Sequence, residues 1–113
     1  MKWKLGRAEV TVGAAPPEAV EEHYAGRPLM FLTDLYVPPS WRGTGVASAL
    51  LRRAARQADE QGWDLWLYCK AHGRRPRLNN AQLELFYEQH GFKTQRTSPE
   101  VEMVRRCAAQ KPE

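Results

Sequence analysis

The chain has 113 residues, 42% of them hydrophobic and 27% charged, with a formal net charge of +4. That length suits one packed domain rather than two, and the balance of apolar and charged residues excludes a disordered chain. No apolar run approaches the length of a membrane span, so no membrane partner is expected.

The mild basic excess suits an anionic cofactor, an acidic protein or nucleic acid. No base-reading motif accompanies it, so nucleic acid is not expected as a partner. Cys69 and Cys107 stand far apart without CxxC spacing. They read as free thiols, no metal is expected, and Met1–Leu5 lacks the apolar middle of a secretory signal, which makes the cytoplasm the expected location.

Taken in chain order, Glu9-Val10-Thr11-Val12 alternates polar and apolar residues, as a half-buried strand does. Ala14 to Arg27 reads as a loop with a helical turn begun by proline, from Pro16-Pro17 and Glu18-Ala19-Val20-Glu21-Glu22. Leu29–Leu32 and Leu35–Val37 make a nearly continuous apolar run, which suits a buried central strand, and Pro38-Pro39 ends it. Val46, Ala47, Leu50, Leu51, Ala54 and Ala58 follow at helical spacing, with Gly62 as a stop. Leu65–Cys69 reads as a second buried strand. Ala71 to Leu78 is a basic loop. Asn80–His90 is a second helix stopped by Gly91, in which Leu83 and Phe86 are expected to pack inward with Tyr87 beside Leu83 on an adjoining face. Phe92–Thr97 and Val101–Arg105 read as two strands, and the tail from Cys107 as frayed. Strands alternating with helices predict a single α/β domain, a mixed sheet with helices packed on it.

The segment Arg42-Gly43-Thr44-Gly45-Val46-Ala47 joins the first buried strand to a helix. First-turn amides have no internal partner and carry partial positive charge, and glycine lets a ligand approach closely, so a phosphate or pyrophosphate is the natural guest. A Walker A loop does not match, and the dinucleotide pattern finds only its first two glycines. Alone, the segment is equally a tight strand-to-helix connection.

Arg42 to Ala47 fits the pattern Arg/Gln-x-x-Gly-x-Gly/Ala, and Asn80-Ala81-Gln82-Leu83-Glu84-Leu85-Phe86-Tyr87-Glu88-Gln89-His90-Gly91-Phe92 follows in the right order. Together they resemble the two motifs of the GNAT superfamily of N-acetyltransferases, over roughly residues 32 to 105. The resemblance implies a mixed sheet whose two central parallel strands, here Leu29–Val37 and Trp63–Lys70, splay apart to admit acetyl-CoA as co-substrate. It implies that the main chain of Leu35, Tyr36 and Val37 pairs with the pantetheine arm, that Arg42, Gly43, Thr44, Gly45, Val46 and Ala47 hold the pyrophosphate, and that Asn80 touches the cofactor arm. It implies direct attack of an amine on the thioester, with Tyr87 as the acid that protonates the leaving thiolate.

For the base or a substrate contact, Asp34 is the first candidate. His72, Glu21, Glu22 and His23 are others, each more often a plain surface residue. The alternatives to this enzyme are an inactive acyl-CoA-binding module and an acetyltransferase of small amines.

Two departures from the family pattern shape the expectations. The usual first strand and the following helices are largely missing before Val37, which predicts an open acceptor cleft, a partner chain such as a second copy in a homodimer, or both. An open cleft suits a large acceptor such as a protein lysine. The basic loop from Lys70 to Leu78 reads as a solvated connection, a clamp on the cofactor's 3′-phosphate or a patch for an acidic acceptor.

Overall fold

The computed structural model describes residues 1–37, 45–70 and 79–108, with the main chain only at Asp34. The elements run β1 (Lys2–Leu5), β2 (Ala8–Ala14), α1 (Pro17–His23), β3 (Leu29–Tyr36), α2 (Val46–Gln61), β4 (Asp64–Tyr68), α3 (Asn80–Glu88), β5 (Lys93–Arg96) and β6 (Glu102–Arg105). Six strands form one sheet in the order β1-β2-β3-β4-β6-β5. Among the described residues only the β3–β4 pair is parallel, so the sheet is mixed, as expected.

Each face of the sheet buries its own apolar set. On one face Val10, Val12, Leu32, Leu65, Leu67 and Met103 pack under Leu50, Leu51, Ala54 and Ala58 of α2. Those four helix residues recur at the spacing of one helical face, and each buried leucine contributes about 2 kcal/mol. Gly62, with φ 76°, ends the helix where the sequence places its stop. On the other face Leu29, Trp66 and Val104 pack under Ala19, with Val20 and Phe31 at the margin. α1 therefore covers the face opposite to α2. β4 feeds both sets through Leu65 and Leu67 on one side and Trp66 on the other, which is why its run is continuously apolar.

The N-terminal part holds more than the one strand read there. Lys2-Trp3-Lys4-Leu5 forms an edge strand, paired Leu5 with Ala8 across a tight turn at Gly6, whose φ is 61°. The proline-led turn extends to a seven-residue helix with Pro17 in its first turn. The tail from Cys107 also departs from expectation. The Cys107 amide donates to Asp64 Oδ1 at 2.8 Å and the Ala108 amide to Asp59 Oδ1 at 2.9 Å, so these two residues are pinned rather than frayed. Arg105 and Arg106 are likewise not merely solvated: Arg105 makes a two-pronged pair with Asp59, and Arg106 donates to Asp64 and to the His23 carbonyl.

Candidate active site

β3 and β4 pair over only three positions, Leu29 with Asp64, Met30 with Leu65 and Phe31 with Trp66. Beyond them β3 stays with β2, as far as Tyr36 opposite Glu9. β4 stays with β6, as far as Tyr68 opposite Glu102. The two strands therefore part at their C-terminal ends, the end at which open α/β sheets bind ligands. Glu9 to Thr11 on β2 faces the longer stretch Thr33 to Tyr36 on β3, so β3 carries one extra residue there. That bulge shifts the alternation. Leu32 before it and Leu35 and Val37 after it all pack on the α2 side, and Tyr36 turns the other way.

α2 starts beside this opening. Gly45 precedes it with φ 88° and ψ 2°, no side chain of the described residues caps its first amides, and no acidic residue sits in its first turn. Uncapped amides and the helix dipole leave that end suited to an anion. Gly45, Val46 and Ala47 of the expected phosphate-binding turn are placed here. Arg42, Gly43 and Thr44 lie outside the described residues, as do the Asp34 side chain and residues 71–78 with His72. Within the first turn Ser48 Oγ is 3.3 Å from His90 Nε2, which fixes the end of α3 against the start of α2. Burial and then the charges of Arg52 and Arg105 hold the His90 imidazole below its ordinary value.

α3 begins with a capping box. Asn79 Oδ1 accepts from the Gln82 amide at 2.8 Å, and Gln82 Oε1 accepts from the Asn79 amide at 3.0 Å. Asn79 is thus the cap, and Asn80 is not needed for that role. Leu83 and Phe86 pack inward against the core, half-buried, and Tyr87 beside them is the fully covered residue of the helix at 6% exposure. Its ring lies edge-on between Phe86 and Phe92, with centroids at 5.4 Å and 5.5 Å. Burial pushes the Tyr87 phenol well above its ordinary value, and the neighbouring Cys69 adds to this. Cys69 follows β4 at the parting of the strands. Its thiol is pushed up to about 11 by burial and then by the charges of Glu84 and Glu88. Tyr87 therefore stands beside the end of β4, on the α2 side of the opening.

The α1 side carries a polar network that the sequence did not announce. Glu102 Oε1 lies 2.9 Å from His23 Nε2 and accepts from Trp66 Nε1 at 3.1 Å. Arg96 lies between Glu102 and Glu22. Burial raises the Glu102 carboxyl, but the bonds to His23 and Trp66 and the charge of Arg96 outweigh it and hold the group below its ordinary range. His23 is buried, not a plain surface residue, because this carboxylate satisfies its ring. The network joins positions distant along the chain, so no local pattern marks it. Glu22, His23 and Glu102 offer ligand atoms within 4.8 Å of one another, yet Arg96 occupies the same place and His23 already bonds Glu102, an arrangement that suits an ion pair better than a cation.

A sheet that parts between its parallel strands, a helix start open to an anion and a buried phenol at the parting define an acyltransferase fold. Residues 7–94, most of the chain, match the model of the acetyltransferase (GNAT) domain, and the chain belongs to that family. No curated protein sequence matches it significantly.

Among solved structures it is similar to the anti-CRISPR protein AcrVA5, with a TM-score of 0.64 and 17% identity over 92% of this chain and 95% of that one. It is similar to an aminoglycoside 6'-N-acetyltransferase complexed with coenzyme A, with a TM-score of 0.60 and 16% identity over 78% and 64%. It is also similar to the ribosomal-protein-S18-alanine N-acetyltransferase from Escherichia coli, with a TM-score of 0.58 and 22% identity over 74% and 57%. At these identities the likeness is one of fold. The chain spans nearly all of the first protein and about three fifths of the other two.

Proposed function

We propose that the protein transfers the acetyl group of acetyl-CoA directly to an amine, with Tyr87 as the acid. The observation that carries this is the placement of Tyr87 and Cys69 together at the parting of β3 and β4, beside the start of α2. The pyrophosphate belongs at Gly45–Ala47 with Arg42, Gly43 and Thr44. The pantetheine arm runs along the main chain of Leu35, Tyr36 and Val37, with Asn80 toward it. The amine nitrogen bonds to the thioester carbon, the carbon–sulfur bond breaks, and the sulfur takes the Tyr87 proton, which is later restored from solvent. The amine's own proton leaves on the acceptor side, where Asp34 is the proposed base or contact.

Cys69, beside Tyr87, has its own thiol pushed up to about 11 by burial, so this end of the opening disfavours a thiolate. A phenol raised by the same burial can supply the leaving sulfur with a proton without losing it to water first.

The candidate acceptors are small amines and protein amines, the two kinds named among the similar folds, an aminoglycoside acetyltransferase and a protein-alanine acetyltransferase. The test is a thermal shift with acetyl-CoA, followed by thiol release with lysine peptides and small amines. Stabilisation with amine-dependent release supports the enzyme. Stabilisation without release for any amine identifies an acyl-CoA-binding module. No stabilisation sinks both readings.

A further inference from the structure

We propose that the α1 side of the opening is a binding site for an alkylammonium ion, with the Tyr68 ring as its floor and Glu18 and Glu100 as the charges that select a cation. Its role as the acceptor site rests on the acetyl-transfer reading.

The strands themselves set the geometry. Leu67 and Cys69 face α2 and α3, so Tyr68 between them faces α1, away from Tyr87. Phe31 and Trp66 are the last paired residues before β3 and β4 part. Their rings and that of Tyr68 form one aromatic surface across the vertex. Phe31 to Trp66 and Trp66 to Tyr68 are each 4.8 Å, and Phe31 to Tyr68 is 6.2 Å and edge-on. Trp66 is buried and its indole N–H is held by Glu102, so the surface is rigid. Tyr68 remains 46% exposed, and an exposed ring of this kind attracts a cation.

Charge gives the sign. The chain carries +4 overall, yet carboxylates stand around Tyr68: Glu102 is its register partner on β6, Glu100 lies two residues before that partner, and Glu18 adjoins Ala19, which shares the packed cluster of Trp66. Burial, then the charges of Glu102, Glu100 and Glu18, raise the phenol accordingly. Glu102 is already engaged by His23, Trp66 and Arg96. Glu18 and Glu100 make no ion pair among the described residues. An alkylamine is an ammonium at neutral pH, with a pKa near about 10. It would arrive as a cation on this side and lose its proton there, while the thiolate is protonated on the other.

The experiment compares wild type with Glu18→Gln/Glu100→Gln and with Tyr68→Leu. The acceptors are an N-terminally blocked lysine peptide, spermidine and p-toluidine, an arylamine that is neutral at pH 7. The expected result is a fall of about tenfold in kcat/KM for the two alkylammonium acceptors, carried by KM. The arylamine and acetyl-CoA values should stay within about twofold. A larger effect on the peptide than on spermidine assigns the site to protein lysines, and the reverse to polyamines. Equal losses for all three acceptors, or none, overturn the proposal. Binding of the peptide to the CoA-loaded protein is titrated in parallel, so that an inactive wild type still decides the matter. Salt-sensitive binding that the double variant loses supports the site, and absence of binding overturns it. Failure to bind acetyl-CoA would instead strike the acetyl-transfer reading.

Discussion

A phenol serves as an acid only while it keeps its proton, and the surroundings of Tyr87 ensure this. Its pKa is raised in the folded protein, so the neutral form that burial stabilises is fully present below pH 10 and is lost only as pH rises beyond that. The rate profile is therefore expected to show no alkaline fall from Tyr87 up to about pH 10, measured as kcat at saturating acetyl-CoA. A fall below that would assign the acid elsewhere. Tyr87→Phe should lower kcat by about a hundredfold while leaving the acetyl-CoA Kd unchanged, a split that stopped-flow and titration resolve. Gly45 carries the second residue-level prediction. Among the described residues a Cβ there meets nothing within 4 Å, but φ is +88°. Gly45→Ala should thus cost about 1 kcal/mol from backbone strain alone and weaken acetyl-CoA by tilting the first amides of α2, as urea titration and binding would show. The family motif made Tyr87 legible in the sequence. The depth of its burial was not, because helical spacing marks the inward face through Leu83 and Phe86, while the approach of β4 and Phe92 decides which residue is covered most.

At the scale of elements, what was legible is what local chemistry dictates. α2 runs from Val46 to Gln61 because an apolar stripe is bounded by Gly45 and Gly62, and all of those signals lie within the segment. Asn79 rather than its neighbour Asn80 caps α3 because Gln82, three residues on, reciprocates its bond. The bulge in β3 and the bonds by which Arg106 and Cys107 hold Asp64 at the start of β4 depend on residues distant along the chain and left no local trace. Those bonds can be tested. Asp64 is fully buried, and its two oxygens take the Cys107 amide and the Arg106 guanidinium. Asp64→Ala leaves the Cys107 amide without its acceptor and strips Arg106 of its carboxylate, with only the His23 carbonyl remaining to it, and should lower stability by about 3 kcal/mol. Asp64→Asn keeps an oxygen for Cys107 and should cost less. Urea unfolding of the two variants gives the order, and equal losses would mean that the amide bond contributes little.

Across the whole molecule, paired carboxylates tie the helices and the tail to the sheet. The carboxyls of Asp59, held down chiefly by Arg105, and of Glu102 lie below their ordinary values of 3.8 and 4.5. A depressed carboxyl binds fewer protons folded than unfolded, so its contribution is present above the ordinary value and is lost as pH falls through the carboxylate range. The urea midpoint should therefore drop between about pH 5 and pH 3, and less steeply in Glu102→Gln; an unchanged slope would remove Glu102 from the account. The mixed sheet with helices on it was legible because the strands and helices alternate in period. The parting of β3 and β4 came from the family resemblance rather than from the apolar pattern, since both runs stay hydrophobic past the last shared pair. The strand order has a further consequence, for synthesis. β4 lies between β3 and β6, and β6 is made only after α3 and β5 have left the ribosome. Until then the edge of β4 turned away from β3 is bare, available to any other nascent chain. A chain stalled before Glu102 would accumulate as aggregate rather than as a smaller folded domain.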